Sequence, residues 1–530
     1  MRFKHTYAIV LLVVFCMLVT SCKTNTSPPL HQQSMPSSPS PSLSSVQKPT
    51  ILILIDSLMD KPLREAITQG RAPALAYLFA NGHYYPQLVS SFPTMSVTID
   101  STMLTGTYPN KHHIPGLSWY STKEKRMIYY GMGPKEGLKI DQPQVLLDAV
   151  HHLNQTHLNR KTKTIHEELA GMGKHSASIN AIVWRGKTDH VLKIPRLISL
   201  STPLPAELKV TGPAMLSYAT FAQLNPDQKE QRRIWRKYGM NDEFSAQEAA
   251  FLISTNKLPS LTLTYFPEND MEVHKKGPAT IEGIVKADQA LQAVLNAFGS
   301  WEQAVNQARW VVMGDSGQSA VLPDRRTATI DMRSLLSSYR VAKIGQPIQR
   351  KDQLVIATNE RMAYIYALDA HLSLTDMVKR LQKEERFDII AVKEGQKTIV
   401  TAGKSNSSFS FRPGGAIKDD YGQSWTIYGD DKLLDLTIRN NHITYGKYPD
   451  ALARLHGAMN SQEGRYAIVT VKPGYELVTE SSPTHLGGGA HGSLHEADSL
   501  VPLLVVGTKT RPQTLRIVDL KDWLLRLANE

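Results

Sequence analysis

Cysteine is almost absent from this chain of 530 residues: it has two, Cys16 and Cys22. Cys16 falls in a leader. Arg2 and Lys4 give a positive start, Tyr7 to Thr20 an apolar run, and small residues follow up to Cys22. That pattern is a signal peptide over residues 1–21, its apolar run too short for a confident membrane span. Once it is removed, one cysteine remains and no intrachain disulfide can form. The fold must then rest on its core alone. No internal repeat is visible either.

The tetrapeptide Val19-Thr20-Ser21-Cys22 resembles a bacterial lipobox, which implies cleavage before Cys22 and a lipid on its thiol. The expected location is the extracytoplasmic face of the cell membrane. Residues 22–48 are rich in Ser, Pro, Thr and Gln. They cannot bury a core and read as a disordered tether. Losing Arg2 and Lys4 lowers the formal net charge from +12 to +10, which favours anionic partners as well as solubility. No nucleic-acid partner is expected.

The remaining chain is too long for one ordinary core. Apolar runs at Ile51–Ile55, Ala177–Val183, Leu261–Phe266, Trp310–Met313, Tyr466–Val471 and Val501–Val506 read as buried strands. Helical periodicity lies between some of them, as in Ala279–Phe298. Together they predict an α/β fold, a mostly parallel central sheet sandwiched by helices. Core segments are expected over 49–343 and 448–530. Short segments broken by Gly, Asp, Asn and Lys predict a smaller α+β insertion over 344–447, and a polar insertion is expected over 122–160.

The stretch Ser91–Pro109 reads as loop, helix and turn. Pro93 and a Ser/Thr cluster start the helix, and Gly106 stops it. A hydroxyl at a helix start sits beside unpaired N–H groups, a natural seat for a phosphate. Four strand-flanking loops carry candidate metal ligands. Asp56 ends the first apolar run. Asp270 and His274, four residues apart after Leu261–Phe266, share one side of a helical turn and can reach one cation. Asp315 centres the turn after Trp310–Met313, and His491 sits on a loop with Gly487, Gly488, Gly489 and Gly492. Each alone has a bland reading as cap, turn or surface ion pair. It is their common position beside strands that argues for chemistry.

These blocks, in this order, resemble the alkaline phosphatase superfamily, and within it the type I phosphodiesterase/nucleotide pyrophosphatase family. Pro93, Thr94, Thr105, Gly106, Tyr108, Pro109, His112 and Ile114 match that family's helix motif, with Ser96 in place of its second Thr. The resemblance implies a sheet between helices with a two-metal site at the strand ends. Ser96 takes the nucleophile position, with Thr94 beside it as a substrate-binding residue. Asp270, His274 and His491 fall on the first metal site, and Asp56, Ser96 and Asp315 on the second. Two cations roughly 4 Å apart can clamp an in-line displacement at phosphorus. The implied course is attack by Ser96, a phospho-serine, then hydrolysis from the opposite face.

Three positions depart from the family. Ser316 stands where it has histidine, leaving the second site rich in oxygen. Zinc is therefore expected at the first site, and zinc, manganese or magnesium at the second, with Ser316 an uncertain ligand. His485 or His495 could restore a nitrogen. His113 replaces a glycine. Leu117 stands near a phosphoryl-binding asparagine of nucleotide pyrophosphatases, which argues against nucleotides. The Cys/Ser-x-Pro-x-Arg pattern of sulfatases is missing at Ser96–Asp100. The leading expectation is a lipid-anchored hydrolase of a phosphorylated small-molecule or envelope substrate. A phosphoglycerol-type phosphotransferase and a non-catalytic binding protein are the alternatives. Trp119 and Tyr120 could stack on a substrate or pack in the core.

Overall fold

The computed structural model describes residues 48–131, 141–228, 239–480 and 482–530. The expected signal peptide, Cys22 and nearly all of the expected tether lie outside the described residues.

Two sheets organise the molecule. The first has seven strands in the order Gly82–Val89, Leu500–Val506, Arg309–Gly314, Thr50–Ile55, Leu261–Phe266, Ser176–Ile179 and Met215–Ser217. Leu500–Val506 alone runs antiparallel to its neighbours; the four strand pairs from Arg309–Gly314 to Met215–Ser217 are parallel. The unbroken apolar runs have a simple cause: helices cover both faces. Leu52 and Leu54 join one buried cluster, with the helices Ser96–Thr105 and Leu520–Asn529. Ile51, Ile53 and Ile55 join the other, with Asp242–Ser254 and Glu282–Asn296. A strand dry on both sides has no reason to alternate.

The second sheet has nine strands and is built mainly from antiparallel pairs. Its first strands, Leu354–Asn359 and Met362–Ala367, form a hairpin turning at Glu360-Arg361. The expected insertion over 344–447 stops short of this sheet's true extent. Strand Arg465–Val471 pairs between Met362–Ala367 and Phe387–Glu394, and helix Ala451–Met459 packs on the sheet. Tyr466–Val471 is buried on both faces, so its composition matched a strand of either sheet. The polar segment 122–160 forms a hairpin, Ser118–Ser121 with Arg126–Tyr129, then the helices Gln142–Leu147 and Asp148–His157, the second a π-helix.

Candidate active site

Three neighbouring strands of the first sheet end level. Ile55 lies opposite Gly314 on one side and Phe266 on the other. Asp56, Asp315 and the helix Glu268–Lys276 therefore leave the sheet at one edge, where open α/β sheets bind ligands. Ser57, at φ +54°, turns the chain there, and its N–H donates to Asp315 Oδ1 at 2.9 Å.

The helix Ser96–Thr105 starts at the same edge and stops at Gly106, which is left-handed at φ +65°. Every residue from Leu88 to Thr105 is buried except Ser96. Burial holds the Asp315 carboxyl above its ordinary value, against the Ser57 N–H, His491 and the Ser96 hydroxyl, which all favour its charged form.

One cluster gathers Asp270, His274 and His491, with one donor atom of each within 4.8 Å of the others. Asp270 and His274 face each other one helical turn apart, Oδ1 to Nε2 at 3.3 Å. Second partners orient all three nearby imidazoles. Nδ1–H donates to the Gly489 carbonyl in His274 at 2.8 Å, to the Thr94 carbonyl in His491, and to Glu476 in His485 at 2.6 Å. Each ring then keeps Nε2 for a cation, the usual arrangement around a metal. The glycine-rich loop is needed because a Cβ at Gly488 would lie 1.9 Å from the His274 carbonyl oxygen. Ser57 Oγ and Gln318 Nε2 donate to Asp270 Oδ1 at 2.8 and 2.7 Å and aim that carboxylate.

Glu360, at the hairpin turn of the second sheet, faces the same histidines, 3.7 Å from His274 Nε2 and 3.9 Å from His491 Nε2. Opposite charges face each other within this cluster. Burial pushes His274 down, but Asp270 and Glu360 outweigh it and hold the imidazole up to about 10. Burial pushes Asp270 and Glu360 up, and the facing histidines bring both below the usual carboxylate range.

Like charges meet in the second cluster. Burial, then Asp315 and Asp270, hold Asp56 well above the carboxylate range. Asp56 Oδ1 and Asp315 Oδ2 are buried without a hydrogen-bond partner, although Tyr265 donates to Asp56 Oδ2. Asp100, one helical turn below Ser96, is also fully buried with both oxygens unpartnered, and burial, then Asp315, raise its pKa well above the ordinary value. Orphaned oxygens among like charges fit a bound cation, which would supply the missing partner.

A cavity of about 480 Å³ opens beside His274, Glu360 and His485. Leu117, Met127, Ile344, Ile356 and Leu477 give it an apolar wall, and Lys275 adds one cation.

The model of the type I phosphodiesterase/nucleotide pyrophosphatase family matches residues 50–494. The chain belongs to this family. Members are phosphodiesterase/pyrophosphatase-type hydrolases of the alkaline phosphatase superfamily and typically depend on two metal ions. Among solved structures, murine ectonucleotide pyrophosphatase/phosphodiesterase 5 is similar with a TM-score of 0.55 at 14% identity, over 91% of this chain and 95% of that one. The human protein of that name scores 0.54 at 14% identity with the same coverages. So does an inactive murine variant in complex with AMP. At this identity the likeness concerns the fold. Comparison with curated protein sequences finds no match.

The fold brings Asp56, Ser96, Asp270, His274, Asp315 and His491 to one sheet edge. The other candidates are held by local contacts. Thr94 is fully buried, accepting from the Gly492 N–H at 2.7 Å and holding His491 through its carbonyl. His485 joins the first cluster, its ring stacked 4.1 Å from that of His274, while His495 caps the helix Glu496–Ser499. Neither supplies the nitrogen that Ser316 lacks. Ser316 is buried, 3.3 Å from Ser57 Oγ. His113, where the family has glycine, adopts φ +66°, a conformation glycine takes without cost. Tyr120 packs against Tyr366, and Trp119 meets His157 edge-on; neither lines the cavity. Sequence reasoning missed Ser57, Gln318 and Glu360. Ser57 and Gln318 lie within three residues of expected ligands, a proximity that could have flagged them.

Proposed function

We propose that this protein is a metal-dependent phosphoric-ester hydrolase that works through a phospho-serine on Ser96. One observation carries the reading: the sole partly exposed position in an otherwise buried stretch is a hydroxyl, set against Asp315, a carboxyl that His491 and Asp270 also act on. Asp270, His274 and His491 would hold zinc. Asp56, Asp315 and Ser96 would hold zinc, manganese or magnesium, as oxygen donors suit the harder ions. Such cations would supply Lewis acidity to the serine oxygen and the phosphoryl group.

The chain's own residues do the rest. Ser96 Oγ forms a bond to phosphorus as the bond to the leaving oxygen breaks, and the leaving group departs as an alcohol. Water then cleaves the phospho-serine, returning Ser96 and releasing phosphate or its monoester. Free N–H groups at the helix start and the helix dipole favour the phosphoryl charge. Thr94 and Gly489 keep the imidazoles aimed. The apolar cavity favours an ester whose leaving group carries apolar surface. Leu117 on its wall offers no hydrogen bond, which disfavours nucleotides.

The substrate would be a phosphorylated small molecule or envelope component. It would be met at the extracytoplasmic face of the membrane, with Cys22 carrying the lipid. Hydrolysis of bis-p-nitrophenyl and p-nitrophenyl phosphate with added Zn²⁺, Mn²⁺ or Mg²⁺ tests the chemistry and ranks diester against monoester. Turnover should vanish in Ser96→Ala; persistence there, or no turnover with any metal in the wild type, defeats the reading. Fatty-acid labelling lost in Cys22→Ser tests the anchor.

A further inference from the structure

We propose that Glu360 is a fourth protein ligand of the first cation, supplied by the second sheet. The inference rests on reading the Asp270 cluster as a metal site. Oxygens and nitrogens alternate around the four side chains, each Glu360 oxygen facing one imidazole. Asp270 Oδ1 to His274 Nε2 is 3.3 Å, His274 Nε2 to Glu360 Oε1 3.7 Å, Glu360 Oε2 to His491 Nε2 3.9 Å, and His491 Nε2 to Asp270 Oδ1 3.8 Å. A tetrahedral zinc with bonds of about 2.0–2.2 Å separates its donors by roughly 3.3–3.5 Å. The Asp270–His274 side already meets that geometry, and the other three exceed it by a few tenths of an ångström.

The carboxylate is held for the purpose. Glu360 sits at φ +56° in the two-residue turn of its hairpin. Its carbonyl accepts from Leu477 N–H at 2.8 Å, and Oε2 accepts from His491 N–H at 3.1 Å. The next residue, Arg361, is fixed by its own N–H donating to the His491 carbonyl at 3.0 Å. Glu360 also shares a second donor group with His274 and His485. His485 thus stands ready as its partner on the cavity side.

Two consequences follow. Four protein donors fill a tetrahedral shell, whereas catalytic zinc sites keep one place open. A phosphoryl oxygen must therefore enter as a fifth ligand or displace Glu360 toward His485. And because Glu360 belongs to the second sheet while the other three ligands flank the first, the first cation ties the two sheets together.

The test is zinc affinity of metal-stripped protein, read by competition with a chromophoric chelator and by the thermal midpoint with and without zinc. Glu360→Gln keeps the shape and removes the charge; it should weaken the tighter-bound zinc by about tenfold to a hundredfold and shrink the zinc-induced rise in midpoint. Glu360→Asp should recover part of both, and Ser96→Ala should leave the tighter site unchanged. Wild-type affinity and midpoint gain in Glu360→Gln would overturn the proposal. A zinc-loaded crystal of the wild type tests the same point without relying on any variant to fold: Glu360 oxygen within bonding distance supports it, and a first cation with water in that place overturns it. Neither readout involves turnover. An inactive protein with Glu360-dependent zinc binding would sink the hydrolase reading alone, and an active one without it this inference alone.

Discussion

Arg361 and Asp498 form an ion pair in which both side chains are fully buried. Arg361 comes from the second sheet's hairpin, and Asp498 from the short helix before the first sheet's antiparallel strand. Arg361 Nη1 also donates to Ser319 Oγ at 2.6 Å and Nη2 to the Val471 carbonyl at 3.0 Å. Asp498 in turn accepts from Ser319 Oγ at 2.7 Å and Ser493 N–H at 2.9 Å. The Asp498 carboxylate is thus well satisfied, but its charge has this guanidinium as its buried counter-ion. Arg361→Met removes the cation and strands the anion, which for a buried pair costs about 3–5 kcal/mol. Replacing both partners, as in Arg361→Met with Asp498→Leu, strands no charge and should cost less than Arg361→Met alone. Urea unfolding followed by two coincident probes measures these losses, and a double-mutant cycle isolates the pair. High salt should scarcely alter the result, since buried pairs are little screened. A loss under about 1 kcal/mol for Arg361→Met, in the range of exposed pairs, would refute the reasoning.

Other outcomes can be checked alongside. In metal-free protein His274 is held up to about 10, so zinc must displace its proton; affinity should rise about tenfold per pH unit from 6 to 9, with one proton released, read by calorimetry in buffers of different ionisation enthalpy. Buried Asp450 is raised by desolvation, against Arg516 and Tyr108, to about 6. Its unfolded form ionises first as pH rises, so stability should fall between pH 4 and 6 and level off above; Asp450→Asn should flatten that slope in urea midpoints. Ser57→Ala removes one of the hydrogen bonds that aim Asp270 and should weaken zinc binding by about tenfold, measured by chelator competition.

Much of the site was legible because its signals are local. An acid just past an apolar run, as at Asp56 and Asp315, needs only strand periodicity. Asp270 and His274 need only the pitch of one helix, and Gly106 only the left-handed end of another. What stayed hidden depends on contacts between distant segments. Nothing near Thr94 in the chain shows that Gly492 and His491 close over it. Glu360 lies in a hairpin of another sheet, 86 residues beyond His274 by their numbers, with no spacing that links the two.

The chain alone thus determined the first sheet's central strands, the helix that starts at Ser96 and four loops of candidate donors, since hydrophobic period and turn chemistry act over a few residues. Tertiary structure decided which candidate donors come together. It set three strand ends level, gave Arg465–Val471 to the second sheet and brought Glu360 against His274 and His491. Register and sheet-to-sheet packing are properties of the whole fold, and no short stretch of residues carries them.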